Sequence, residues 1–220
     1  MDYSPVVPEK STGPQSAYVE LSQLRTPQPS ERADAARNRA AIVEAAARLF
    51  AEHGVDAVSM DAIAAAAGVG KGTLFRRFGD KSGLANALLD TRERELQQRI
   101  LSGEPPLGPG APPGERLEAF TVAYLDYLLP HVELVRMSET ASPGARYRIG
   151  AYRFWHRHVA ILLTEMREFP DPEVGAHVIL APMAAELVAV TARELGTRRV
   201  RDGVIELVRR VLRDETRERS

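Results

Sequence analysis

The chain has 220 residues, no cysteine, 44% hydrophobic residues and a formal net charge of -1. That length and apolar content furnish either one large domain or a small head with a larger body. A near-neutral charge is not that of a protein that coats nucleic acid without regard to sequence, so any DNA function must use local positive charge. The lack of cysteine excludes disulfides, thiolate metal sites and a Cys nucleophile, and fits a reducing compartment.

Residues 1–34 mix Pro, Ser, Gln and charges without lasting periodicity and are expected to be a disordered tail. No basic flank leads into an apolar run there, so no secretory signal is expected and the default location is the cytoplasm. Arg32, Arg37 and Arg39 lie just before or at the start of the first helix. Arginines so placed reach a minor groove or phosphates, or form a generic basic lead-in. The first helix is predicted from about Ala35 to His53, with Ile42, Ala46, Leu49 and Phe50 inward and Gly54 just past its end.

Residues 59–81, SMDAIAAAAGVGKGTLFRRFGDK, read as two short helices joined by a glycine-bearing turn. Ser59 is the N-cap of the first, and Met60, Ile63, Ala64 and Ala67 keep helical spacing up to Gly68. Val69 plugs the turn. A second helix from Lys71 to Phe78 places Leu74 and Phe78 on one side and spreads Lys71, Thr73, Arg76 and Arg77 over the rest. One face anchors and the other is free to touch a polyanion. Ser59, Gly70, Lys71, Gly72, Thr73, Phe75, Arg76, Arg77 and Lys81 are therefore the candidate DNA-binding residues, with Arg76 and Arg77 foremost because guanidinium binds guanine or phosphate in a bidentate way.

The run from Ile42 to Lys81 resembles the DNA-binding head of the TetR family of bacterial transcriptional regulators. Ser59, Ile63, Ala64, Ala67, Gly68, Val69, Gly72, Thr73, Leu74, Phe78 and Lys81 match that family's pattern in register. The chain departs from it at Gly70, where the family usually has Ser, and at Phe75, where it usually has Tyr; phosphate anchoring is then expected to rest more on Arg76, Arg77 and Lys81. The resemblance implies an all-α fold: an N-terminal three-helix helix-turn-helix head over residues 35–80, followed by a C-terminal helical domain for ligand binding and dimerisation.

A connecting helix is predicted over 81–102, with Leu84, Leu88 and Leu96 inward and its first turn, including Lys81, offering N–H groups to a phosphate. Residues 103–114 hold five prolines and four glycines, so they are expected to be a linker that marks the domain boundary. The body, 115–220, reads as helix throughout. Leu117, Phe120, Thr121, Tyr124 and Leu128 share one stripe; a short helix from about His131 to Glu139 follows. A long helix is then predicted from Ala145 to Phe169, with Ala151, Trp155, His158, Val159, Leu162 and Met166 on one face. Pro172 to Leu195 is apolar on nearly all sides, with a kink or break expected at Pro182, and His177, Pro182 and Glu186 argue against a membrane span. Val204, Ile205, Val208, Val211 and Leu212 stripe the last helix.

A helix apolar all round needs two partners, and a second subunit would supply one of them. A homodimer joined by the last two helices is also what the resemblance implies, as is a body that binds a small effector. Phe120, Tyr124, Met137, Tyr152, Trp155, His158 and Met183 are the candidate ligand-binding residues, an apolar and aromatic set that suits an apolar or aromatic effector. No catalytic motif appears: GVGKGT lacks phosphate-loop spacing and follows a helix, and no catalytic residues or cofactors are expected. His156 and His158 point in different directions and the other histidines are scattered, so no metal site is expected. The expected function is that of a regulator of the repressor type, bound to double-stranded palindromic operator DNA; a helical enzyme and a sequence-indifferent DNA-coating protein are its rivals.

Overall fold

The computed structural model describes residues 29–167 and 169–217, so the tail expected over 1–34 lies mostly outside the described residues. The chain divides into two units, Met1–Ala41 and Ile42–Ser220. Helix α1, Pro29–His53, begins earlier than the predicted Ala35. Pro29 stands at its first position, where a missing N–H costs nothing. In the first unit Arg37 pairs with Asp34 one turn away on this helix.

The second unit is all helical among its described residues and holds two apolar cores. The first core is the head. Helix α2, Met60–Ala66, starts at the Ser59 cap, whose Oγ accepts from Ala62 N at 3.1 Å. It ends at Gly68, whose φ of 65° makes the turn that a side chain would resist. Helix α3, Lys71–Phe78, follows. Ile42, Ala46, Phe50, Val55, Val58, Ile63, Ala64 and Leu74 close this core, with Val69 packed against it as the turn's plug.

Helix α4, Lys81–Ser102, belongs to both cores: Leu84 is buried in the head, and Leu89, Leu96 and Ile100 are buried in the body. This one helix thus contributes side chains to both cores. The proline-rich stretch over residues 103–114 is a folded corner, since Leu107 is buried in the body core and a Cβ on Gly108 would meet the Gly103 carbonyl oxygen at 1.8 Å. Its helix also starts sooner than expected, because Pro113 opens α5, Pro113–Leu128.

The body then follows the predicted order with one correction. Helix α6 is Val132–Glu139, and the helix expected to run unbroken from Ala145 to Phe169 is two: α7, Ala145–Arg148, and α8, Gly150–Met166. Ile149 is extended between them, and Arg167 takes a left-handed φ of 61° that stops α8 before Phe169. Pro182 breaks the apolar stretch as expected: α9 is Pro172–Leu180, a 3-10 turn covers Ala181–Met183, and α10 is Ala185–Leu195. Although Pro172–Leu195 is long and apolar enough to cross a membrane by composition, it is broken at Pro182, and α9 packs on α8 with Ala176, Ile179 and Leu180 in the body core. Helix α11, Thr197–Arg217, packs on α5 and α10, burying Val204, Ile205 and Val208.

A candidate nucleic-acid interface and a buried polar core

Leu74 has no exposed surface and roots α3 in the head, while Lys71, Phe75, Arg76 and Arg77 on the same helix are exposed. Thr73 lies between these extremes. Gly70 caps α3 with its backbone alone, so the helix start carries no side chain across it. A Cβ on Gly72 would meet nothing within 4 Å, so the free protein leaves that flank open to whatever approaches. Lys71 pairs with Asp61 of α2, tying the two helices across the turn.

Two more of the candidate DNA contacts have structural tasks. Ser59 spends its hydroxyl on the α2 cap. Lys81, expected on a phosphate, instead donates through Nζ to the carbonyls of Val55 and Val58 at 2.9 and 2.8 Å, and to that of Asp56 at 3.3 Å. These bonds tie the start of α4 to the loop that follows α1. At the start of α4, where a phosphate site was expected, Asp80 caps the helix by accepting from Gly83 N at 3.0 Å. Bonds from Ser82, foremost, and Gly83 hold this carboxyl below its ordinary range, so it stays charged and repels a phosphate.

The family model for bacterial regulatory proteins of the tetR family matches residues 42–88. Over those residues the chain is similar to the head of that family. HTH-type transcriptional regulators from Staphylococcus aureus strains USA300 and N315 are 53% identical to it over 53 residues, 24% of this chain and 29% of each relative. The match thus spans less than a third of those relatives. Solved structures extend the likeness of fold to the body. A TetR-family transcriptional regulator from Pectobacterium atrosepticum superposes with a TM-score of 0.58 at 22% identity, covering 86% of this chain and 97% of that one. The fatty acid degradation regulator FadR from Bacillus halodurans gives 0.54 at 20% identity, over 76% and 92%. The all-α arrangement, a tetR-family head followed by a helical domain, is the one they share.

Inside the body, the candidate ligand residues are brought together with one exception. Phe120 lies 5.8 Å from Tyr124, 6.1 Å from Trp155 and 5.2 Å from His158 between ring centroids, and Tyr124 lies 5.9 Å from Trp155. Tyr152 and Met183 are buried in the same core. Met137 is not: it packs against the head core, because its position on α6 faces the other way. Burial, with a smaller contribution from Arg116, lowers His158 to about 4, so the ring is neutral at pH 7. Its Nε2 and the Nε of Arg116 are buried without a hydrogen-bond partner among the described residues.

The polar groups that share this interior were not foreseen. Arg146 of α7 pairs with Glu139 of α6, both side chains less than a tenth exposed, and donates to Leu180 O at 3.0 Å. Glu139 also accepts from the Ala185 backbone at 2.8 Å, and the Arg146 guanidinium lies 4.8 Å from the centre of the Tyr152 ring. Glu93 of α4 accepts from the Tyr127 hydroxyl at 2.9 Å. A charge on an otherwise apolar α4 face, Leu89, Glu93, Leu96, Ile100, was the signal available for it. A cavity of about 20 Å³ lies among Glu93, Tyr124, Tyr127, Glu139, Tyr152 and Trp155, room for about one water.

His156 and His177 also meet, ring centres 4.0 Å apart, with Tyr152 Oη 2.7 Å from His177 Nδ1. Even so, among the described residues no three metal-ligating side chains are grouped to hold an ion.

Proposed function

We propose that this protein is a cytoplasmic, homodimeric transcriptional regulator that represses from a palindromic operator and is released by a small, largely apolar or aromatic ligand. The observation that carries the reading is α3 itself, a helix with a fully buried root at Leu74 and an outer face of Phe75, Arg76 and Arg77. A helix held in that way enters a major groove, where arginine reads guanine edges or grips phosphate. Gly70, Lys71, Gly72 and Thr73 line its approach, and a two-fold dimer would set two such helices into half-sites about one helical turn or more apart. The rest of the tetR-family likeness, including the names of its relatives, supports the same class.

Support for the dimer comes from apolar side chains left uncovered on the last helices. Val174 and Val178 on α9, Leu187 and Val190 on α10, and Leu207 on α11 are all exposed. Burying such residues against a second copy removes apolar surface from water. For the effector, the aromatic interior offers the walls of a ligand site, but its small void means that a ligand must part the helices. Release then follows if the parted state binds DNA less well, since a ligand acts only through differential affinity for two arrangements.

The test is to sequence the genomic fragments that the purified full-length protein retains, then titrate the recovered site against scrambled DNA at fixed salt. A regulator binds its own site tighter by about 10³ or more. Arg76→Ala and Arg77→Ala are each expected to cost about 1 to 3 kcal/mol of that specific binding if they read bases. Equal affinity for both DNAs, or unchanged binding by the double variant, would move the reading element elsewhere.

A further inference from the structure

The aromatic interior contains two carboxylates in unequal circumstances. Glu139 is neutralised by Arg146 and further held by the Ala185 N–H. Glu93 is partly buried, faces the same small cavity, and has only the neutral hydroxyl of Tyr127 as its hydrogen-bond partner among the described residues; no cation there pairs with it. A carboxylate withdrawn from water without a counter-charge is costly to keep. Burial accordingly raises the Glu93 carboxyl above its ordinary value, partly offset by the Tyr127 bond. Burial also pushes the Tyr127 phenol far above its usual range, so it remains a donor and brings no second negative charge.

Around this carboxylate stand ring faces. Tyr124 and Tyr127 are 5.9 Å apart between centroids, and Trp155 is 5.9 Å from Tyr124 at an interplanar angle of 69°. Aromatic faces attract cations, most strongly when water is excluded. The same interior already uses that attraction, since the guanidinium of Arg146 sits over Tyr152.

We propose that the effector of this body is a hydrophobic organic cation, an ammonium whose charge is held by Glu93 between the rings of Tyr124, Tyr127 and Trp155. The assignment rests on the ligand-controlled reading above and narrows it from an apolar or aromatic molecule to a positively charged one. An anionic effector would meet Glu93 as a like charge, with Arg146 already committed to Glu139. Because the free cavity is so small, the cation enters by moving ring side chains, and Trp155, the chain's single tryptophan, reports the event.

The test uses full-length protein and a matched pair of probes. Benzyltrimethylammonium and neopentylbenzene have the same shape and differ by one nitrogen-centred positive charge. Binding of each is followed through Trp155 emission. The ammonium is expected to bind, and Glu93→Gln to weaken it by about tenfold or more while leaving neopentylbenzene unchanged. Tyr127→Phe, which keeps the carboxylate, is expected to retain the preference for the cation, so the inference stays open to test if the Gln variant folds poorly. In the native protein, ammonium affinity should fall as the pH drops and Glu93 takes up a proton, with no such change for the hydrocarbon. Neopentylbenzene binding with no response to the ammonium, or an ammonium affinity indifferent to Glu93→Gln, overturns the charge assignment and leaves the pocket standing. Silence of Trp155 toward both probes overturns the assignment and the ligand pocket together.

Discussion

Head and body solve opposite problems with the same kind of helix. In the head the charges lie outside and the core is apolar; Arg76 and Arg77 are exposed while Leu74 and Ile63 are sealed. In the body the charges lie within, where Arg146, Glu139 and Glu93 sit among tyrosines and a tryptophan. An exterior charge costs little to keep and is available to a large polyanion. An interior one must be matched or it destabilises the fold.

The sharpest way to break this contrast is at the buried ion pair. Arg146→Met leaves Glu139 buried without its counter-charge, and is expected to cost about 3 to 5 kcal/mol of stability. Denaturant unfolding would measure it, and a loss no larger than that of a surface arginine would show that the interior tolerates unmatched charge. In the head the corresponding weak point is steric. A Cβ at Gly83 would meet the Phe78 carbonyl oxygen at 1.9 Å and its carbon at 2.9 Å. Gly83→Ala is thus expected to cost about 1 to 3 kcal/mol and to lower DNA affinity by displacing the end of α3. Thermal melting together with operator titration checks both effects.

A further effect should come from protons. His158 is lowered from 6.5 to about 4 by burial and by Arg116, so the unfolded chain binds its proton at a higher pH than the native one. Stability contributed by the neutral ring is therefore present above about pH 6.5 and is lost as pH falls toward 4. His158→Gln should flatten that part of the stability profile, read by denaturant midpoints across the interval. An unaltered slope would assign the acid sensitivity to another group.

The head was the more legible half because its signals are local. Ser59, Gly68, Leu74 and the arginines of α3 act within a turn or two of chain, where capping, left-handed backbone and helical spacing leave their mark on residue choice. What the local signals did not carry there was long range. Lys81 looks like a phosphate ligand in sequence, and only the fold brings the carbonyls of Val55 and Val58 beneath it. In the body the apolar stripes placed α5, α6 and the last helices correctly, and Pro182 broke its helix as proline must. The break at Ile149 left no such mark, since Gly150 alone is tolerated in many helices. The pairing of Glu139 with Arg146 and the partnership of Glu93 with Tyr127 join separate helices, so no spacing along the chain announces them.

Helix α4 has Leu84 in one core and Ile100 in the other. At about 1.5 Å per residue these anchors stand about 24 Å apart, so a tilt of about 5° pivoting at Ile100 carries Leu84 sideways by about 2 Å. Glu93 projects from the middle of that lever. A guest no bigger than a few heavy atoms, wedged beside it, would be geared up into a displacement comparable to the width of a hydrogen bond at the far end, enough to spoil the fit of a reading helix in its groove.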